Sequence, residues 1–375
     1  MISLKKNIII YVLISMILIF NTKVTFAQPN ISAKAAVLVD AETGEVLYKK
    51  NIHEKRPPAS TTKIMTGILA IKLGNLNDKV ITSSRAANEG GSSIYLERGE
   101  VLTLKELIYG LLIKSGNDAA VSIAEYTAGS VENFAHLMNQ KAVEVGALNT
   151  NFKNPNGLPQ NGHLTTAYDL AQITRYALEN EFFSDVVATS QKRISWPGNN
   201  WDRILSNTNR LLKLSDTIDG VKTGYTNRAG KCLVASETRD GQRLISVLLK
   251  SNNVWNESQA LLDYGFENYT QHKLVEKNQL LHEFKLNEKN KLGLKAAKDL
   301  SFVTSKFEEI NVKRKIDLEE NFSLPILKGE KLGVLSFYKN EQLLGKVDLV
   351  ADREVSDSRF RRFINNLISA IQVYF

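Results

Sequence analysis

Ser60-Thr61-Thr62-Lys63 sets two residue types at a spacing where they can do chemistry together. A serine and a lysine three apart on a helix share one face, with Cβ atoms about 5–6 Å apart. A serine hydroxyl is a poor nucleophile until a base takes its proton, and a lysine of lowered pKa is such a base. Pro57-Pro58 ends whatever precedes, and the apolar run Ile64 to Leu73 follows, so Ser60 opens a helix whose N-terminus favours an oxyanion beside it. The spacing alone is not diagnostic, because Ser3 with Lys6 and Ser336 with Lys339 repeat it. Two further clusters narrow the choice. Ser115-Gly116-Asn117 closes the helical run Leu107 to Ile113, and Lys222-Thr223-Gly224 falls on a strand pattern. Each has a decoy, Ser251-Asn252-Asn253 for the first and Lys114-Ser115-Gly116 for the second. Only Ser60, Ser115 and Lys222 occur in order as helix start, helix-connecting loop and late strand within one domain.

The elements that must position these groups are readable in outline. Ala35 to Val39 and Val46 to Tyr48 flank a polar, Gly-containing turn and read as a hairpin. From about residue 60 to 190 the pattern is mainly helical, and strands return around Val221, Cys232 to Ala235, and Leu244 to Leu249. Strands at both ends with helices between predict one α+β domain whose sheet joins the two ends. After Tyr269, short apolar runs alternate with Lys/Glu-rich turns up to about Val355, the texture of a small all-β domain.

The two termini have their own chemistry. Lys5 and Lys6 precede the apolar run Ile8 to Phe20, and Thr25-Phe26-Ala27 offers a cleavage site, so residues 1–27 read as a secretory signal peptide, with an uncleaved anchor as the alternative. At the other end Phe360, Phe363, Ile364, Leu367, Ile368, Ile371, Tyr374 and Phe375 share one helical face. Arg359, Arg361 and Arg362 are unopposed by acids there. Residues 356–375 are too short and too polar on one side to span a bilayer, so an amphipathic helix lying in the membrane interface is expected, with packing on the β domain as the blander reading. The domains expected are therefore 1–27, 28–270, 271–355 and 356–375.

Composition bounds the function classes. The formal charge is +8, and loss of the leader removes Lys5, Lys6 and Lys23 from it. An exported basic chain meets anionic lipid and wall polymers rather than nucleic acid, and no aromatic-basic RNA motif or zinc-finger spacing occurs. Cys232 is the only cysteine, so no internal disulfide forms, and its strand-like context makes it a buried structural thiol. The five histidines, His53, His136, His163, His272 and His282, form no metal-like pair, and no G-x-S-x-G elbow occurs. No metal or cofactor is expected, and a Ser-His-Asp hydrolase is unsupported. Asp118, Tyr168 and Asp169 read as capping or packing residues, and His163 as a loop residue near the site region.

With these stretches in hand, the chain resembles the low-molecular-weight penicillin-binding proteins that act as serine D-alanyl-D-alanine carboxypeptidases, the sporulation-associated type among them. The resemblance is carried by Pro58 to Thr66, Gly91-Ser92-Ser93, Lys114 to Ala120, Asn154 to Leu158, Thr165 to Ala171 and Val221 to Thr226. It implies an α+β, β-lactamase/transpeptidase-like catalytic domain followed by a β-rich domain. It implies removal of the terminal D-alanine from peptidoglycan stem pentapeptides, inhibition by β-lactam antibiotics, a role in wall biogenesis and cell shape, and a place at the outer face of the cytoplasmic membrane. By the same resemblance Ser60 is the acylated nucleophile and Lys63 its general base. Ser115 and Asn117 relay protons and hold the substrate amide, Lys222 and Thr223 face the substrate's terminal carboxylate, and Gly224 and Tyr225 join them in binding substrate. The backbone N–H groups of Ser60 and Tyr225 form the oxyanion hole.

One departure stands out. Many relatives carry an arginine for the substrate carboxylate shortly before a stretch like Leu261-Leu262-Asp263-Tyr264-Gly265-Phe266, and here Val254 holds that place. Either Lys222 and Thr223 suffice, or Arg228 or another cation substitutes, or the activity is weak. Two rivals stay open: a catalytically weak penicillin- or wall-binding homologue, and a serine β-lactamase. The latter lacks a Glu-x-x-Leu-Asn stretch between Ser115 and Lys222 for its deacylating water.

Overall fold

The computed structural model describes residues 28–285, 291–319 and 325–355. The expected leader, residues 1–27, and the expected amphipathic helix, residues 356–375, lie outside the described residues.

The hairpin forms as its turn chemistry predicts. β1 (Ala35–Asp40) and β2 (Val46–Lys50) pair antiparallel, and Asp40 Oδ1 accepts the Thr43 N–H at 2.9 Å inside the turn. A short 3-10 turn, Ala59–Thr62, then leads into helix α1 (Lys63–Leu73). α1 is buried along Lys63 to Ala70 on every side, which is why its sequence is apolar almost throughout rather than along one stripe. β3 (Lys79–Ile81), α2 (Ser84–Ala87) and β4 (Val101–Thr103) frame a loop over residues 88–100. α3 (Leu104–Leu112) opens on a capping box, Glu106 N–H to Thr103 Oγ1 at 3.2 Å and Thr103 N–H to Glu106 Oε2 at 2.8 Å. α4 (Asn117–Ala128), α5 (Val131–Glu144), α6 (Ala167–Leu178) and α7 (Glu181–Ala188) complete the helical layer.

The hairpin of β5 (Gln191–Ile194) and β6 (Arg203–Ser206) was not legible in the sequence, being two four-residue strands without sustained alternation. Buried Arg203 holds it down. Its guanidinium reaches Glu100 at 2.9 and 3.2 Å and the Tyr95 carbonyl at 3.2 Å. After a 3-10 turn at Arg210–Lys213 come β7 (Ile218–Thr226), β8 (Gly230–Arg239) and β9 (Gln242–Ser251), then α8 (Val254–Asn268). The main sheet runs β2-β1-β9-β8-β7, all antiparallel, so the first strands and the last lie side by side as expected. One continuous core links its inner face to the helices, from Val37 and Val39 through Ile64, Ile68, Leu112 and Ile123 to Phe134 and Phe183.

Residues 269–355 form the β-rich part. β10 (Tyr269–Val275) pairs β13 (Leu300–Ser305). β11 (Leu280–Lys285), β12 (Lys291–Ala296), β14 (Val312–Leu318), β15 (Lys331–Lys339) and β16 (Gln342–Ala351) make a sheet ordered β11-β12-β16-β15-β14. Its own core gathers Val275, Phe284, Leu292, Leu335, Phe337, Val347 and Leu349.

Candidate active site

Three elements of separate sequence origin meet at Ser60. The first is the 3-10 turn that carries it, followed at once by Lys63 as the first residue of α1. The second is the loop between α3 and α4, where Ser115 takes φ +68°, a left-handed conformation that a non-glycine residue adopts only where its surroundings hold it. The third is β7, the edge strand of the main sheet. A cleft of about 540 Å³ is lined by Ser60, Ser115, Thr223, Gly224 and Tyr225 among others, so most of the residues singled out from the sequence share one cavity.

Close approach of backbones makes the site possible. A Cβ on Gly224 would sit 3.0 Å from the Ser60 nitrogen and 3.1 Å from the Pro58 carbonyl oxygen, so only glycine lets the strand lie this tightly against the nucleophile turn. From the other direction Gly157, at φ +86°, presses on the same turn, where a Cβ would fall 1.9 Å from the Ala59 oxygen. Ala59 itself takes φ +50°. Thr61 adds an inner tie, its hydroxyl donating to the Pro58 carbonyl at 2.7 Å.

Lys63 is the centre of the hydrogen-bond network. It is fully buried, and its Nζ lies 3.2 Å from Ser60 Oγ, 2.6 Å from Asn117 Oδ1 and 2.6 Å from the Asn156 carbonyl oxygen. Burial pushes its pKa well below the ordinary lysine value, and the Lys222 charge pushes the same way, against the opposing pull of Asp118 and Glu89. The sequence reading expected Ser60 and Ser115 as its neighbours. Ser115 faces the same cleft, but the third partner is the main-chain oxygen of Asn156. Asn117 is fixed in turn, with Nδ2 donating to the Gly90 carbonyl at 2.6 Å and its N–H to the Ser92 carbonyl at 2.7 Å. Asn156 Nδ2 donates to Glu89 at 2.8 Å. The loop 89–92 thus holds both amide residues that hold Lys63.

Lys222 is the second buried amine, 1% exposed, and burial pulls its pKa down to about 7. Its Nζ donates to the Thr223 carbonyl at 3.0 Å, and among the described residues no carboxylate pairs with it. The Thr223 hydroxyl lies 2.7 Å from that of Thr208. Tyr225 is exposed at the rim, with its hydroxyl donating to Asn227 Oδ1 at 3.1 Å.

The blander assignments hold their ground. Asp118 accepts from the backbone N–H groups of Ile94 at 3.0 Å and Leu96 at 3.1 Å and so shapes the rim loop. Asp169 accepts the Asn149 N–H at 2.7 Å. The Tyr168 ring packs tilted against His53, with centroids 5.2 Å apart. His163 is buried, and its Nδ1 accepts the Lys153 N–H at 3.0 Å, which leaves the proton on Nε2 to be donated to Thr62 Oγ1 at 2.9 Å. Burial, with Lys153 nearby, pulls its pKa to about 4, so it stays a neutral packing residue against Phe152. Cys232 is buried, with its thiol pKa pushed up to about 11 by burial, yet it also forms part of the cleft wall. Val254 lines the cleft too, where the sequence expectation had missed an arginine, and Arg228 is exposed and not among the lining residues.

The family profile described as D-alanyl-D-alanine carboxypeptidase matches residues 22–253, and that of the penicillin-binding protein 5 C-terminal domain matches residues 269–357. D-alanyl-D-alanine carboxypeptidase DacF of Bacillus subtilis (strain 168) is 40% identical over 345 residues, covering 88% of each chain. D-alanyl-D-alanine carboxypeptidase DacC of Escherichia coli (strain K12) is 32% identical over 360 residues, 91% of this chain and 88% of its own. Among solved structures, penicillin binding protein 5 from Haemophilus influenzae superposes with a TM-score of 0.72 at 28% identity, covering 89% of this chain and all of its own. The chain belongs to the D-alanyl-D-alanine carboxypeptidase family, with the serine-hydrolase catalytic domain and β-sheet C-terminal domain that the motifs implied.

Proposed function

We propose that this member of the family removes the terminal D-alanine from peptidoglycan stem pentapeptides through an acyl-enzyme on Ser60. The observation that carries the reading is the partner set of Lys63. A neutral amine has two N–H donors and one lone pair. Asn117 Oδ1 and the Asn156 carbonyl oxygen have no proton to give, so they take the two N–H groups, and the lone pair is left for the third partner, the Ser60 hydroxyl. Burial favours that neutral form.

In the proposed sequence Ser60 Oγ bonds to the penultimate D-alanine carbonyl carbon as its proton passes to Lys63. The oxyanion that forms is held by the backbone N–H groups of Ser60 and Tyr225, which the close contact at Gly224 brings together. The C–N bond then breaks, and the leaving amine takes the proton from Lys63 by way of Ser115. Asn117 holds the substrate amide, and Lys222 and Thr223 face the terminal carboxylate. Water attacks the ester, its proton goes to Lys63, and Ser60 Oγ recovers a proton as the shortened peptide leaves. β-Lactams enter the same path and stop as the acyl-enzyme.

The test is intact-mass detection of a penicillin adduct together with D-alanine release from a pentapeptide. Wild type gives both and Ser60→Ala gives neither while keeping its far-UV circular dichroism; an adduct on the Ser60→Ala protein sinks the assignment. Action on wall peptides implies work outside the cytoplasm, and the proposal includes export by residues 1–27 and attachment to the membrane surface by residues 356–375. Among the described residues no helix is long and apolar enough to cross a membrane. Removal of residues 358–375 is expected to move the chain to the soluble fraction with penicillin binding intact; sedimentation with membranes after truncation would place the anchor elsewhere.

A further inference from the structure

The charge of the cleft is one-sided. Arg210 and Lys231 line it, Lys222 adjoins the lining residue Thr223, and no aspartate or glutamate is among the lining residues. A cavity with that balance accepts an anion. At the start of α8, where the sequence comparison expected a cation, the wall is made instead by Val254, which offers no side-chain donor.

Arg210 is built differently from an ordinary surface arginine. Its side chain is exposed, and among the described residues its guanidinium has no hydrogen-bond or ion-pair partner. Its backbone, by contrast, is fixed. The residue before it, Asn209, is buried, and its Oδ1 accepts the Leu211 N–H at 3.1 Å. Asn207 Oδ1 accepts the Asn209 N–H at 2.9 Å, while Asn207 Nδ2 donates to the Thr189 carbonyl at 2.9 Å. Leu211 is anchored in the protein interior. Two residues before Arg210, the Thr208 hydroxyl pairs with Thr223 of the Lys-Thr-Gly strand at 2.7 Å. A guanidinium with no partner among the described residues, carried on a fixed backbone turn and lining the same carboxylate-free cleft as the Thr208 and Thr223 hydroxyls, has the donors that a carboxylate needs.

We propose that Arg210 binds the C-terminal carboxylate of the acyl-donor peptide, completing with Thr208 and Thr223 an anion subsite that Val254 cannot serve. This rests on the reading of Ser60 as the acylated residue. The guanidinium meets the carboxylate through two parallel N–H···O bonds, which fixes the scissile bond relative to Ser60; a lysine at the same place supplies charge without the fork.

The experiment uses the mature chain and two acylating compounds, benzylpenicillin and its methyl ester, which lacks the anionic carboxylate. Second-order acylation of Ser60 is followed by intact mass. Arg210→Gln is expected to slow benzylpenicillin by about ten- to a hundredfold, the loss of a charge-assisted contact, and to leave the ester rate unchanged. Arg210→Lys recovers part of the loss, as does guanidinium ion added to Arg210→Gln below denaturing concentration. Lys72→Gln, at an exposed lysine that is not among the cleft-lining residues, leaves both rates within about twofold, since a lone surface charge contributes little. A benzylpenicillin rate in Arg210→Gln equal to wild type overturns the proposal, as does a proportional fall with both compounds, which marks a structural role. Wild type that shows no Ser60 adduct with either compound refutes the underlying nucleophile assignment instead.

Discussion

The two halves of this chain handle charge in opposite ways. Residues 31–268 bury it: Lys63, Lys222, Asp118, Asp169 and the Arg203–Glu100 pair are all nearly or wholly shielded from water. Residues 269–355 keep it outside, where Lys315–Asp317 and Lys331–Asp348 are half-exposed pairs around an apolar core. Buried charge is costly unless hydrogen-bonded, and surface pairs contribute about 0–1 kcal/mol each. The first half therefore carries groups that a design for stability alone would omit, and two of them, Lys63 and Lys222, stand next to the cleft residues Ser60 and Thr223. Among the described residues the second half has no buried charged residue, and its stability comes from its apolar core.

That contrast can be broken most severely at Lys63. Lys63→Arg keeps a cation but removes the neutral form, since arginine does not lose its proton. Acylation by penicillin is expected to fall by about a thousandfold, within the range for loss of a general base, with the circular dichroism spectrum retained. Acylation at near the wild-type rate would make Lys63 an electrostatic neighbour only.

A second comparison asks whether the β-rich half matters to the chemistry. Leu335 is 1% exposed in its core, and Leu335→Ala is expected to cost about 2–5 kcal/mol in denaturant unfolding. Under conditions where the variant stays folded, its Ser60 acylation rate should equal that of wild type. A rate that falls in step with stability would show the two halves to be energetically joined.

The smallest expected effect is the stability signature of the buried Lys222. Its folded pKa of about 7 lies below the ordinary lysine value, so between those two pH values the unfolded chain binds more protons than the folded one. Stability from this group therefore rises with pH through that window and is lowest at pH below 7. Relative to Lys222→Met, wild type should gain up to about 1.4 kcal/mol per pH unit from pH 7 to 9. Parallel stability curves for the two proteins would show that the amine is solvated in the folded state. The same variant should turn over pentapeptide more slowly, whereas a purely structural lysine would leave turnover unchanged.

How much of this was legible beforehand depends on which atoms do the work. Ser60, Lys63, Ser115, Asn117 and Lys222 are proposed to act through side chains in short local patterns, so type and spacing pointed to them. The Asn156 carbonyl oxygen and the Gly90 carbonyl oxygen act through main-chain atoms that every residue possesses, and the chain brings them to the site from 93 and 27 residues away. Only a folded backbone can show them. Arg210 was missed for another reason: it sits in a four-residue 3-10 turn with no periodicity, and its interest comes from a cavity formed by distant elements. The fold divides likewise. The first hairpin, the β7 to β9 meander and the β-rich half were readable from alternation and turn residues, while β3 with β4 and β5 with β6 are too short to leave a pattern.

The placement of β1 has a consequence for how the molecule comes into being. It lies between β2 and β9, and its pairing partner Leu249 is more than two hundred residues further along from Ala35. A growing chain can make the hairpin at once, but one edge of β1 stays open until Gln242–Ser251 arrive. Contacts of such separation form late and slowly, and an open strand edge invites pairing with other chains meanwhile. Because β7, with Lys222 and Thr223, joins the sheet only through β8 and β9, no chain that stops short of Ser251 has a complete cleft. Catalytic competence therefore arrives in one late step of assembly, when the last strand of the sheet docks against the first.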